Sequence, residues 1–205
     1  YHIGMKLYPH VNLESLGNKL RKYLKDKEYE VSEKTITQLS VPILPSREVI
    51  GLKENVSVEF NMPAQALNTV GREQEKVVEV FKEVNRALLD LEYDIQGTVM
   101  FYEIVATVVI KSDGHPRERI SSSVNIDLGP FNDLGEVVVD SLRIINIQPT
   151  EEQGSINLTI EPNPTNPSTT YLVKLLYRCT KSEMIETFNN SLAERVLNLI
   201  RSMER

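Results

Sequence analysis

The run from Thr98 to Ile110 constrains this chain more than any other stretch. It is apolar at both parities of a two-residue repeat, and only Glu103 interrupts it. It is too short to cross a membrane, which takes roughly 18 apolar residues as a helix. It therefore reads as a central strand covered on both faces, and the rest of the chain must supply the cover.

Three helices are legible. Asn12 is placed to cap a helix in which Leu13, Leu16, Leu20 and Leu24 recur at helical spacing to about residue 28. Val77, Phe81, Val84, Leu88 and Leu91 form a second apolar stripe. Thr180 with Glu183 has the form of a capping box. It opens a final helix carrying Ile185, Phe188, Leu192, Val196, Leu199 and Met203.

Strands fill the intervals. His2 to Tyr8 is a short strand, and Thr35 to Leu44 an edge strand marked by Pro42 and Pro45. A loop is expected over 46–54, then a strand with Val56, Val58 and Phe60, closed by Met62-Pro63. Asp113-Gly114 signals a tight turn. Ile120, Val124, Ile126 and Leu128 predict a half-buried strand, Val137 to Ile147 another, and Ile156, Leu158 and Ile160 a third. Pro162, Pro164 and Pro167 make 161–168 an irregular connection. Tyr171, Val173, Leu175, Tyr177 and Cys179 share one face of the last strand.

The expected fold is therefore α+β. A mainly antiparallel sheet has a ferredoxin-like β-α-β-β-α-β order, followed by a β-meander and a C-terminal helix. The 205 residues are enough for one α+β domain over 1–205, and a sub-boundary would fall near 111–119.

Composition narrows the functional classes. The net charge of −6 disfavours nucleic acid as a partner, and the strands lack the aromatic stacking platform of RNA-binding sheets. The single cysteine, Cys179, excludes an internal disulfide and points to a cytoplasmic setting. No basic-then-apolar leader and no membrane span is expected, and the sequons at Asn55, Asn157 and Asn189 read as chance. Nine glycines include no phosphate-binding loop, and three histidines with one cysteine include no metal-ligand spacing. No cofactor and no metal is expected.

Four residues are candidates for a site. His115, Arg117 and Arg119 crowd 112–119, where guanidiniums could clamp an anion and the imidazole donate a proton; a solvated Asp-Gly turn is the favoured account, because backbone geometry alone explains its residues. Glu103 would be a general acid or base if buried in the apolar strand, or a simple ion-pair partner if it reaches the surface. Cys179, among apolar neighbours, reads as a core residue.

Charge is unevenly spread. Lys19, Arg21, Lys22, Lys25 and Lys27 crowd the first helix against Asp26 alone. Asp127, Asp133, Glu136, Asp140, Glu151, Glu152 and Glu161 face only Arg143 in the meander. With no catalytic motif, these features predict a non-catalytic protein-interaction or assembly protein, homo-oligomeric through the apolar strand. The alternative is an apolar small-molecule binder with a pocket between a curved sheet and the C-terminal helix, lined by Tyr171, Tyr177, Phe188 and Leu192.

Overall fold

The computed structural model describes residues 1–31, 47–130 and 137–205. The strand expected over Thr35 to Leu44, with Pro42 and Pro45, lies outside the described residues.

Among the described residues the order is β1 (His2–Leu7), α1 (Leu13–Lys25), β2 (Arg47–Lys53), β3 (Val56–Asn61), β4 (Ala66–Val70), α2 (Gln74–Asp90), α3 (Ile95–Thr98), β5 (Val99–Lys111), α4 (Pro116–Ser122), β6 (Leu142–Ile145), β7 (Ser155–Pro162), β8 (Thr170–Cys179) and α5 (Ser182–Met203). The strands form one eight-stranded sheet in the order β2-β3-β4-β1-β5-β8-β7-β6. The ladders of β1 with β4 and β5, β3 with β2 and β4, and β6 with β7 are antiparallel. The α+β class and the antiparallel sheet match the expectation. The ferredoxin-like order is not confirmed: among the described residues three strands separate α1 from α2, and the sheet is larger than that fold's. No helix among the described residues is long and apolar enough to cross a membrane.

The chain divides into two compact units: Tyr1–Val105 with Arg178–Ser182, and Ala106–Tyr177 with Glu183–Arg205. In the first, cross-strand rows build one buried face. Val58, Thr69, Ile3 and Ile104 are successive partners, as are Phe60, Leu67, Met5 and Tyr102, and all eight are buried. Leu16, Leu20 and Leu24 of α1 and Val77, Phe81, Val84 and Leu88 of α2 are fully buried, as their spacing predicts. Phe81 meets Tyr102 edge to face at 6.0 Å. Asn12 caps α1 through its side-chain oxygen, which accepts from Ser15 N at 2.9 Å.

The opposite face of this unit is largely polar. One row runs Glu59, Asn68, Gly4, Glu103. Gly4 is required there: a Cβ would lie 2.8 Å from Asn68 Oδ1 and 3.0 Å from His2 Nε2.

Several expectations are corrected. The stretch expected to be a loop over 46–54 contains β2. Glu54 and Asn55, both with positive φ (49° and 64°), close a two-residue hairpin onto β3 without the glycine that usually signals such a turn. β4 carries polar Asn68 and Thr69 in a strand of five residues, so it lacks a legible alternation. The β5 strand is not covered on both faces. Tyr102, Ile104 and Ala106 are buried, while Val108 and Val109 are 45% and 56% exposed. The second face of β5 carries Glu103 into the polar row, and its β-branched residues reflect strand preference rather than burial.

In the second unit, Ile120 belongs to α4 rather than to a strand. Pro116 at the first helical position presets the backbone, and only Pro116 and Ile120 of α4 are buried. Asp113-Gly114 accordingly leads into a helix, not a hairpin. Of the strand expected over Val137 to Ile147, only Leu142–Ile145 forms. The alternating faces of β7 and β8 hold: Leu158, Ile160, Tyr171, Val173, Leu175 and Tyr177 are buried. In α5 the stripe is as expected except that Ile200, not Leu199, is buried near the end.

Candidate functional site

The residues singled out from sequence do not assemble one site. Glu103 reaches the polar face of the first unit and pairs with Arg178, Nε to Oε2 at 3.1 Å, and Arg178 lies over the Phe101 ring at 5.2 Å. It has the geometry of a surface ion pair. Arg117 turns to Asp140 at 2.7 Å. His115 precedes α4 and makes no capping bond with its side chain. Arg119 lies against Gly114, 3.0 Å from the Cβ that glycine lacks.

What does assemble near 112–119 is a clasp on the end of α5. Ser112 Oγ donates to Glu204 Oε1 at 2.6 Å, and Asp113 N donates to the same oxygen at 3.0 Å. Burial raises the pKa of Glu204, but these donors outweigh it and hold the carboxyl below its usual range. The buried Tyr171 hydroxyl lies beside this pair without a hydrogen bond of good geometry. This is a structural tie between the start of the 112–119 stretch and the end of α5.

The first unit has a cavity of about 300 Å³ bordered by Tyr23, Tyr29, Lys53, Glu83 and Asp90. Its polar groups satisfy one another. Glu83 accepts from Tyr29 at 2.5 Å and from Lys53 at 2.6 Å, and Tyr23 donates to Asp90 at 2.5 Å. Burial, then the hydrogen bond to Glu83, pushes the Tyr29 hydroxyl far above its ordinary value.

The site with unfilled capacity lies in the second unit. The chain between β6 and β7 is held by Asn146, whose Nδ2 donates to Gly154 O at 2.7 Å and whose Oδ1 accepts from Ile156 N at 2.9 Å. Gly154 has φ 68°, which glycine adopts freely and which turns the chain into β7. This loop, the end of β8 and the first turns of α5 enclose a cleft of about 560 Å³. Ile156, Tyr177, Met184 and Phe188 give it an apolar floor, and Glu152, Glu183, Thr187 and Arg195 line its rim.

The floor is preorganised. Tyr177 and Phe188 stack at 3.8 Å with 3° between their planes. Tyr177 Oη donates to Gln153 O at 3.2 Å, fixing the ring to the loop. With one face of Phe188 taken by Tyr177, Arg195 lies over the ring, 5.7 Å from its centre. Arg195 Nε donates to Ser191 Oγ at 2.9 Å.

Tyr177 and Phe188 are two of the four pocket residues expected from sequence; Tyr171 and Leu192 do not line the cleft. The rim residues escaped the sequence reading. Their only signal is position: 183, 184, 187, 188 and 195 fall on one face of a helix, and the loop that closes over them carries adjacent carboxylates in Glu151-Glu152. Among the described residues no group of three or more metal-ligating side chains occurs. The chain matches no protein-family model, no curated protein and no solved structure.

Proposed function

We propose that the second unit is a binding module for a small amphipathic molecule, held between the 146–156 loop and the start of α5. The observation that supports this is the cleft itself. Its volume of about 560 Å³ falls in the range of roughly 300–1,000 Å³ typical of small-molecule sites, and an aromatic floor meets polar rim groups within it. The stacked, hydrogen-bonded rings are ordered before any ligand arrives, which lowers the entropy lost on binding.

Nile red, a neutral amphipathic dye, provides the test. Saturable binding with enhanced emission is expected for the native chain. Thr187→Trp places an indole at an exposed rim position, where it narrows the space over the aromatic floor, so it should weaken that binding several-fold while leaving the thermal midpoint near that of the native protein. Unchanged dye affinity in a folded Thr187→Trp variant refutes the reading, as does the lack of saturable binding to the native protein.

A second reading, a protein-interaction role, is favoured by exposed apolar residues in the same unit. Val108 and Val109 are joined by Ile145 at 54% and Ile147 at 85% exposure. Self-association through these residues would give a mass above 23.4 kDa in sedimentation equilibrium, reduced towards the monomer by Ile147→Lys. A monomer in the native protein removes the homo-oligomer version of this reading.

A further inference from the structure

We infer that the cleft selects a small organic cation: a protonated amine on an aromatic or branched apolar body. This inference rests on the binding-module reading and adds the chemical class of its ligand. It comes from two rim carboxylates that no cationic side chain meets; Glu183, in the first turn of α5, has the partial positive charge of that helix end beside it. Glu152 and Glu183 enter no ion pair among the described residues, whereas Arg195 has its Nε bonded to Ser191 and its guanidinium over Phe188. The rim thus offers two carboxylates against one guanidinium that already has partners.

The surrounding field has the same sign. Among its described residues the second unit holds eleven carboxylates against eight lysines and arginines, a net charge of −3. Summed charge of this kind raises the local concentration of counter-ions at a cleft and speeds their capture. An anion would meet that field unfavourably and would have only Arg195 to bind it. A neutral molecule would use the floor and leave both carboxylates to water.

Geometry assigns the two halves of such a ligand. The apolar body fits the floor, where Ile156, Met184 and the edges of Tyr177 and Phe188 are available. Because those two rings cover each other's faces, the ligand meets ring edges rather than inserting between them. The ammonium then lies at the rim, between the loop carboxylate of Glu152 and the α5 carboxylate of Glu183, and keeps part of its hydration.

The chain contains no tryptophan, so indole excited at the red edge of its absorption, where the eight tyrosines absorb little, reports the ligand. Three probes share one indole body: tryptamine, a cation; tryptophol, neutral; and indole-3-propionate, an anion. Fluorescence anisotropy should rank tryptamine tightest, about fivefold or more over tryptophol at low salt, with indole-3-propionate weakest. The preference for tryptamine should shrink in high salt. The double variant Glu152→Gln, Glu183→Gln should erase that preference, bringing tryptamine and tryptophol to equal affinity within the variant.

Equal affinities for the three probes, or tightest binding of indole-3-propionate, would overturn the cation inference and leave the binding module standing. So would saturable Nile red binding in a protein that does not take up tryptamine. If neither Nile red nor any indole binds saturably, the module reading fails and the inference falls with it. A preference for tryptamine that survives the double variant would place the cation elsewhere and also overturn the inference.

Discussion

Replacing Phe188 by alanine tests the architecture and the cleft together. The ring is 92% buried by its 8% exposure, and it stacks on Tyr177 at 3.8 Å. Truncating a buried phenylalanine costs about 3–5 kcal/mol through lost transfer and the cavity left behind. One edge of this ring borders an existing cleft, so part of the new space is already open and the cost should fall at the low end, about 3 kcal/mol. For a chain of this length each kcal/mol shifts the midpoint by about 2–4 °C, giving a fall of about 6–12 °C. Thermal denaturation followed by far-UV circular dichroism measures it. The aromatic pair is isolated by the cycle of Phe188→Leu and Tyr177→Leu, with an expected coupling of about 0.5–1.5 kcal/mol. A loss below about 1 kcal/mol for Phe188→Ala would show that α5 does not seal this unit, and the floor of the cleft would lose its basis.

Other consequences follow from single contacts. Cys179 is 4% exposed and its Sγ donates to Lys181 O at 3.3 Å, so thiol titration of the native protein should be slow and become complete only on denaturation. Gly4→Ala would push a methyl to 2.8 Å from Asn68 Oδ1, and the resulting crowding should cost about 1–3 kcal/mol in thermal denaturation, more than Gly114→Ala, whose contacts at 3.0 Å and 3.4 Å are with the far end of the Arg119 side chain. Glu204 has its pKa below the usual 4.5, so its bonds to Ser112 and Asp113 stabilise the fold above that value and are lost as pH falls through the folded-state pKa. Midpoints measured from pH 7 down to pH 3 should therefore drop less steeply in Glu204→Gln than in the native protein, and parallel curves would refute the clasp.

Helices and strands were legible wherever one face alone decided the residue type. The stripes of α1 and α2 and the alternating face of β8 could be read directly because their buried positions recur at the element's own period. The C-terminal helix was legible too, with its drift from Leu199 to Ile200 below the resolution of an apolar pattern. What failed in the sequence were decisions made by pairing. β2 exists because Glu54-Asn55 accepts positive φ and lets it dock on β3, although its own residues have no clear alternation. Ile120 to Leu128 alternates on paper, yet Pro116 starts a helix at its head.

The cleft divides in the same way. The sequence by itself determined that Tyr177 and Phe188 point inward, because each sits in the apolar register of its own element. Only the tertiary structure brought Glu152 from a loop and Glu183 and Arg195 from a helix to one rim, since residues 31 and 43 positions apart share no local periodicity. It likewise decided that Glu103 meets Arg178, 75 residues away, rather than remaining a buried acid. Local pattern specifies which face of an element avoids water; which charges then share a surface depends on chain crossings and strand order, and those are set by long-range packing.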